Sequence, residues 1–124
     1  MTILNLTTTP LSEDLKAAGV YDLPEPAINF MKTLMWFTCE PSPSVIRGRA
    51  NQIAHLAKKE MNKWRSVVEH VVLLDGKNPY LISALENALS QRGIRFVYSY
   101  KKIVKDKDNP AEIKLVHDYW IYNK

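Results

Sequence analysis

Residues 67–104 read VVEHVVLLDGKNPYLISALENALSQRGIRFVYSYKKIV, and the order of apolar runs, caps and breakers in this stretch decides the fold. Val67 to Leu74 is a nearly continuous, β-branched apolar run, as expected for a strand covered on both faces. Asp75, Gly76 and Lys77 then form a loop, Asn78 can cap a helix, and Pro79 suits its first position. Leu81, Ile82, Leu85, Ala88 and Leu89 fall on one helical face, and Gly93 closes that helix. Ile94 to Val104 returns to a strand pattern. Strand, loop, helix and strand of these lengths make a βαβ crossover, which joins parallel strands by a right-handed turn.

The flanks extend this unit in both directions. Downstream, Asp106-Lys107-Asp108-Asn109-Pro110 is turn chemistry. Ile113, Leu115, His117, Tyr119 and Ile121 then alternate with Lys114, Val116, Asp118, Trp120 and Tyr122, predicting a strand antiparallel to 94–104. Upstream, Ile46, Ala50, Ile53, Ala54, Ala57, Met61 and Trp64 make one apolar stripe, predicting a helix over roughly 44–64. The Cys39-Glu40-Pro41-Ser42-Pro43 break precedes it, and before that Pro26 opens a helix that runs to near Phe37. Ser12 and Gly19 bracket a short helix over 13–18, and Ile3-Leu4-Asn5-Leu6 is a strand. The expected fold is therefore a single α/β domain over residues 1–124, small and Rossmann-like, in three layers. It should hold about four strands, mostly parallel with an antiparallel C-terminal hairpin edge, and three or four helices.

Composition narrows the function classes. A chain of 124 residues buries enough surface to fold without disulfide or structural metal. Its 46% hydrophobic and 24% charged residues exclude a disordered chain. The single Cys39 excludes an internal disulfide and every zinc motif built on paired cysteines, and a lone thiol fits a reducing compartment. MTILNLTTTP has neither the basic start nor the apolar stretch of a secretory signal, and no window is apolar enough to cross a bilayer. A cytoplasmic protein without a membrane partner is expected. Lys and Arg number 17 against 13 Asp and Glu, a net charge of +4 that leans toward an anionic partner.

Ligands of open α/β sheets bind beyond the carboxyl ends of the strands. That rule selects Asn5 to Thr9, Asp75 to Asn78, and Ser99 to Lys102. Gly76, Lys77 and a helix start in one turn would offer N–H groups and positive charge to a phosphate, although D-G-K-N-P is also ordinary turn and cap chemistry. Thr7-Thr8-Thr9 could bond a sugar or phosphate, or be a solvated loop. Asn5 within an apolar strand must find partners, either neighbouring backbone or a ligand. His55, His70 and His117 have no metal-ligand spacing, so no metal and no cofactor are expected. His117 beside Asp118 and Tyr119 could be an acid–base element, but no nucleophile is in evidence. Basic residues gather on the long helix and at Lys101, Lys102, Lys105 and Lys107, where interleaved aromatics could stack on bases or simply fill a cross-strand face.

ILNLT, the short capped helix after it, and the VVLLDG-to-VYSY segment resemble small bacterial and phage α/β proteins. Those are related in plan to the CRISPR-associated Rossmann-like (CARF) domains and to compact ring nucleases. The likeness covers the first strand and about residues 67–104. It implies a homodimer binding a cyclic oligoadenylate or another nucleotide in an antiviral setting, with metal-independent cleavage in some members. The contacts it implies are Asn5, Thr7, Thr8, Gly76, Lys77, Asn78 and Ser99, with Lys77 stabilising the developing phosphorane charge. These loops carry no evident general acid or base. The alternative expectation is a non-enzymatic phage or bacterial accessory protein, an inhibitor docking on a host protein or nucleic acid through the basic helix and hairpin.

Overall fold

The crossover and its flanks assemble as one sheet in a computed structural model that describes residues 2–63, 69–105, 107–109 and 111–122. The elements are β1 (Ile3–Asn5), α1 (Glu13–Ala17), β2 (Val20–Asp22), α2 (Glu25–Met35), α3 (Pro43–Met61), β3 (Val71–Leu74), α4 (Ile82–Gln91), β4 (Arg95–Lys105) and β5 (Ile113–Tyr122). The strand order is β2-β1-β3-β4-β5. β1 runs parallel to β2 and β3, β3 parallel to β4, and β5 antiparallel to β4.

The sheet therefore has five strands, one more than the pattern suggested. The additional strand, β2, is three residues long, too short for an alternation to register, and lies between Gly19 and Pro24. Gly19, at φ 97°, ends α1 and turns the chain directly into it. Other boundaries move modestly. The strand expected from Val67 begins at Val71, while Val67, Val68, Trp64 and Arg65 lie outside the described residues, as do Asp106 and Pro110 of the hairpin turn. α4 begins at Ile82 rather than Pro79, yet Asn78 still organises its entry. Its carbonyl accepts from the Leu81 and Ile82 N–H groups at 3.2 and 3.1 Å, and its Oδ1 from Leu81 N–H at 3.3 Å.

Alternation along the strands assigns the two faces. Leu4, Leu6, Val72, Leu74 and Phe96 point into a core built with α2, α3 and α4, where Met31, Ile53, Ala57, Met61, Leu85 and Leu89 meet them. Ile3, Val71, Leu73 and Val97 point the other way, beneath Leu15 of α1, Leu11 and Trp120. All four residues of β3 are buried, in keeping with a strand covered on both faces.

β4 pairs with β3 only over Arg95–Tyr98, so the rest of β4 and its partner β5 run on as a two-stranded arm. Ile103, Ile113 and Leu115 on this arm are 63–65% exposed. A register shift between Tyr100 and Lys101 interrupts the pairing. The simple alternation expected for β5 fails there: Tyr119 stacks on Tyr100 at 4.6 Å, while His117 turns to the face of Trp120. No helix among the described residues is long and apolar enough to cross a membrane.

Candidate functional site

The chain leaves β1 outward to β2 and then crosses to β3 on the other side, so strand order reverses between β1 and β3. A crevice opens beyond the carboxyl ends of the strands at such a point. Here it is a cleft of about 580 Å³, bounded by Leu6 to Thr8, by Lys32 and Met35 to Phe37, and by Leu74 to Ile82. That volume falls within the range typical of small-molecule sites.

Asn5 builds the first wall. It is buried, and all its polar capacity is engaged: Nδ2 donates to Thr9 O at 3.1 Å and to Asp22 Oδ1 at 2.9 Å. Its Oδ1 accepts from the Thr7 N–H at 2.9 Å and from Thr7 Oγ1 at 2.6 Å. These bonds to backbone and side chains shape the loop that follows β1. Thr8 is exposed at the cleft.

Lys77 crosses from the second loop to the first. Its Nζ donates to Thr9 Oγ1 at 2.8 Å and lies 4.0 Å from Asp75 Oδ2, with the side chain 67% exposed. The Asp75 carboxylate also accepts the Lys77 backbone N–H at 3.1 Å, closing a tight turn. Gly76 sits at φ 69°, and a Cβ there would meet nothing nearer than Tyr98 at 3.9 Å, so backbone conformation and not space calls for glycine. Asn78 ties this loop to the end of α2, donating from Nδ2 to Met35 O at 3.0 Å.

An aromatic wall beside these loops escaped sequence reasoning. Trp36 is 70% exposed, and Phe37 meets Tyr80 edge-to-face at 5.9 Å. Arg49 of α3 holds this corner: its guanidinium lies 4.6 Å from the Phe37 ring centre and donates to the carbonyls of Leu34 and Trp36. The Met35-Trp36-Phe37 run at the end of a helix was the available signal. Nothing local says that α2 ends beside the loop after β3.

Ser99 lies apart from Gly76 and Asn78. It lines a second cleft of about 340 Å³ on the other side of Lys77, with Thr7, Thr9, Ser12, Asp75 and Lys101. Thr7, Asp75 and Lys77 border both clefts. Ser99 also meets His117, with Ser99 Oγ 2.6 Å from His117 Nδ1. The imidazole packs on the Trp120 ring at 3.9 Å, and the His117 backbone N–H donates to the Asp14 carboxylate of α1. Burial pushes the His117 pKa below its ordinary value, with the Lys101 charge acting the same way, against Asp14 and Asp118, which pull it up. Burial pushes the Asp14 carboxyl up, but bonds from His117 N–H, Ser12 and nearby backbone outweigh it and leave it below its ordinary value.

The remaining candidates are structural neighbours. His70 lies 3.3 Å from Lys58 Nζ, which also reaches Arg92 O at 3.4 Å, and burial followed by the Lys58 charge lowers the His70 pKa. Cys39 is exposed. Among the described residues no group of three His, Cys, Asp or Glu side chains is placed to hold a metal ion. No family model, curated protein or solved structure matches the chain.

Proposed function

We propose that this chain is a Rossmann-like, homodimeric binding protein for an anionic nucleotide, with a cyclic oligoadenylate of antiviral signalling as the leading ligand class. The observation that carries this reading is a nucleotide-sized cleft at the strand-order reversal, lined by Lys77 and Thr8 and by the aromatic side chains of Trp36, Phe37 and Tyr80. A phosphate would meet Lys77, Thr8 and the 75–78 backbone, while Trp36 and Tyr80 offer rings on which a base can stack. Two copies related by a two-fold axis would present two such clefts to a cyclic ligand. Cleavage without metal would need a ribose hydroxyl held in line with the phosphate and the Lys77 charge on the phosphorane oxygens.

Calorimetry with cyclic tetra-adenylate, cyclic hexa-adenylate and ATP tests the binding. The expected result is saturable heat with one of these ligands, weakened about tenfold or more in Lys77→Ala through loss of a charge-assisted bond. Absence of heat with all three sinks the reading. The rival reading, docking on a nucleic acid or host protein, predicts the reverse pattern. Lys77→Ala would then be silent, and charge reversal at Lys58 and Lys59 would abolish function, with steep salt dependence if the partner is a nucleic acid.

A further inference from the structure

The Ser99–His117 pair has the geometry of an activated nucleophile. Ser99 lines the 340 Å³ cleft, and its Oγ lies 2.6 Å from His117 Nδ1, so one residue both borders open space and meets an imidazole. With the ring proton on Nε2, His117 Nδ1 accepts the Ser99 hydroxyl at 2.6 Å, within reach for proton transfer. The Trp120 ring packs on the imidazole, and Asp14 holds the His117 backbone N–H from which it hangs.

The β-bulge makes this arrangement possible. Ser99 is paired with Trp120, and in an uninterrupted register His117, three residues from Trp120, would face the opposite side of the sheet. The shift between Tyr100 and Lys101 places His117 opposite Lys101 and swings its ring back to the side of Ser99. Bulges are concentrated beside active sites because they re-aim a side chain in this way. The same cleft is lined by two lysines, Lys77 and Lys101, against one carboxylate, Asp75, a net positive balance that suits an electrophile bearing negative charge.

We propose that Ser99 is the nucleophile and His117 the general base of a phosphate-ester hydrolase site in this second cleft. Ser99 Oγ attacks phosphorus as its proton passes to His117 Nδ1. The new Oγ–P bond replaces the bond from phosphorus to the leaving alkoxide, which departs opposite Ser99 and takes a proton from solvent while His117 keeps the Ser99 proton. Water then attacks the seryl phosphodiester from that same side and loses a proton to solvent, the Oγ–P bond breaks, Ser99 Oγ takes its proton back from His117, and a phosphomonoester is released. Lys77 and Lys101 face the negative oxygens throughout. The charged groups around the imidazole are Asp14 on α1, Lys101 on β4 and Asp118 on β5, and burial prevails among these influences to keep it neutral near pH 7. This route differs from attack by a ribose hydroxyl, since the nucleophile belongs to the protein. It rests on the nucleotide reading only for the choice of a phosphate electrophile.

The test needs no nucleotide. A fluorophosphonate probe should add once per chain, with the adduct mapped to Ser99 by peptide mass spectrometry of the wild-type protein. Ser99→Ala should abolish labelling, and His117→Gln should slow it about a hundredfold. Wild-type labelling should fall as pH drops and His117 takes up a proton. Bis(4-nitrophenyl) phosphate should be hydrolysed with the same dependence on both residues. An unlabelled wild type, an adduct elsewhere, or unchanged labelling in His117→Gln would overturn the nucleophile–base pair. Turnover of neutral 4-nitrophenyl acetate without turnover of the phosphate diester would overturn the substrate class. Either result leaves the calorimetric test of the first cleft standing by itself.

Discussion

On one face of the sheet, Leu4, Leu6, Val72, Leu74 and Phe96 lie beneath three helices; on the other, Ile3, Val71, Leu73 and Val97 lie beneath the five-residue α1, Leu11 and Trp120. Burial along the central strands is nevertheless nearly complete on both sides. The difference is one of depth. The first face has a second layer of apolar side chains, among them Ile53, Met61, Leu85 and Leu89, and the second face has a cover one side chain thick. The thin side also carries the Ser99–His117 pair, and α1, which covers it, supplies the Asp14 carboxylate that holds β5 at the bulge. Elements with few buried contacts open at lower free energy than the core, so the proposed chemistry is built on the more easily opened face.

Substitutions on the two faces can break that comparison. Ile53→Ala, at a fully buried position of α3, should cost about 3 kcal/mol in urea unfolding and lower the whole molecule's stability in one cooperative transition. Leu15→Ala should cost less, about 2 kcal/mol, because a residue on a short surface helix leaves a site that can partly collapse. Its signature should be local. Amide exchange should accelerate in α1 and at the His117 N–H, while β3 amides keep their protection. Equal losses from the two substitutions, with exchange rising everywhere at once, would show that the thin face is as integral to the core as the thick one.

The thick face was legible because its signals are local. The stripe through Ile46, Ala50, Ile53, Ala57 and Met61 is a periodicity that a short window contains, as is the run from Val71 to Leu74, whose Val72 and Leu74 face this side. The loop bearing Lys77 could be placed as well, because a general rule of parallel sheets locates ligands beyond strand ends. Long-range pairing hid the rest. β2 exists because three residues find β1, with Val20 opposite Ile3 and Asp22 opposite Asn5, and no pattern within Val20-Tyr21-Asp22 announces it. His117 lacked a visible nucleophile for the same reason: Ser99 is 18 residues away, and a bulge that breaks the alternation brings the two together. The aromatic wall needed α2 to end beside the loop after β3, a fact of topology that neither segment carries alone.

The smallest effect is a pH dependence, and it sets one imidazole on each side of the comparison. His70 is lowered by burial and then by Lys58 of the thick-side helix α3; His117, on the thin side, is lowered by burial with Lys101 adding to it. Each folded-state pKa lies below that of the unfolded chain, so the unfolded chain takes up protons first as pH falls past about 6.5. The stability due to both groups is thus complete above that value and is lost as pH falls toward the lowered folded values. Asp14 acts in the same direction, but below the ordinary carboxylate value of 3.8, outside this window. Thermal unfolding at pH 7.5 and 5.5 should therefore show a lower Tm at the acidic value. His70→Gln and His117→Gln should each remove part of the difference. If His70→Gln flattens the dependence and His117→Gln leaves it untouched, the thin face is too open to desolvate its imidazole, and a neutral base beside Ser99 loses its physical cause.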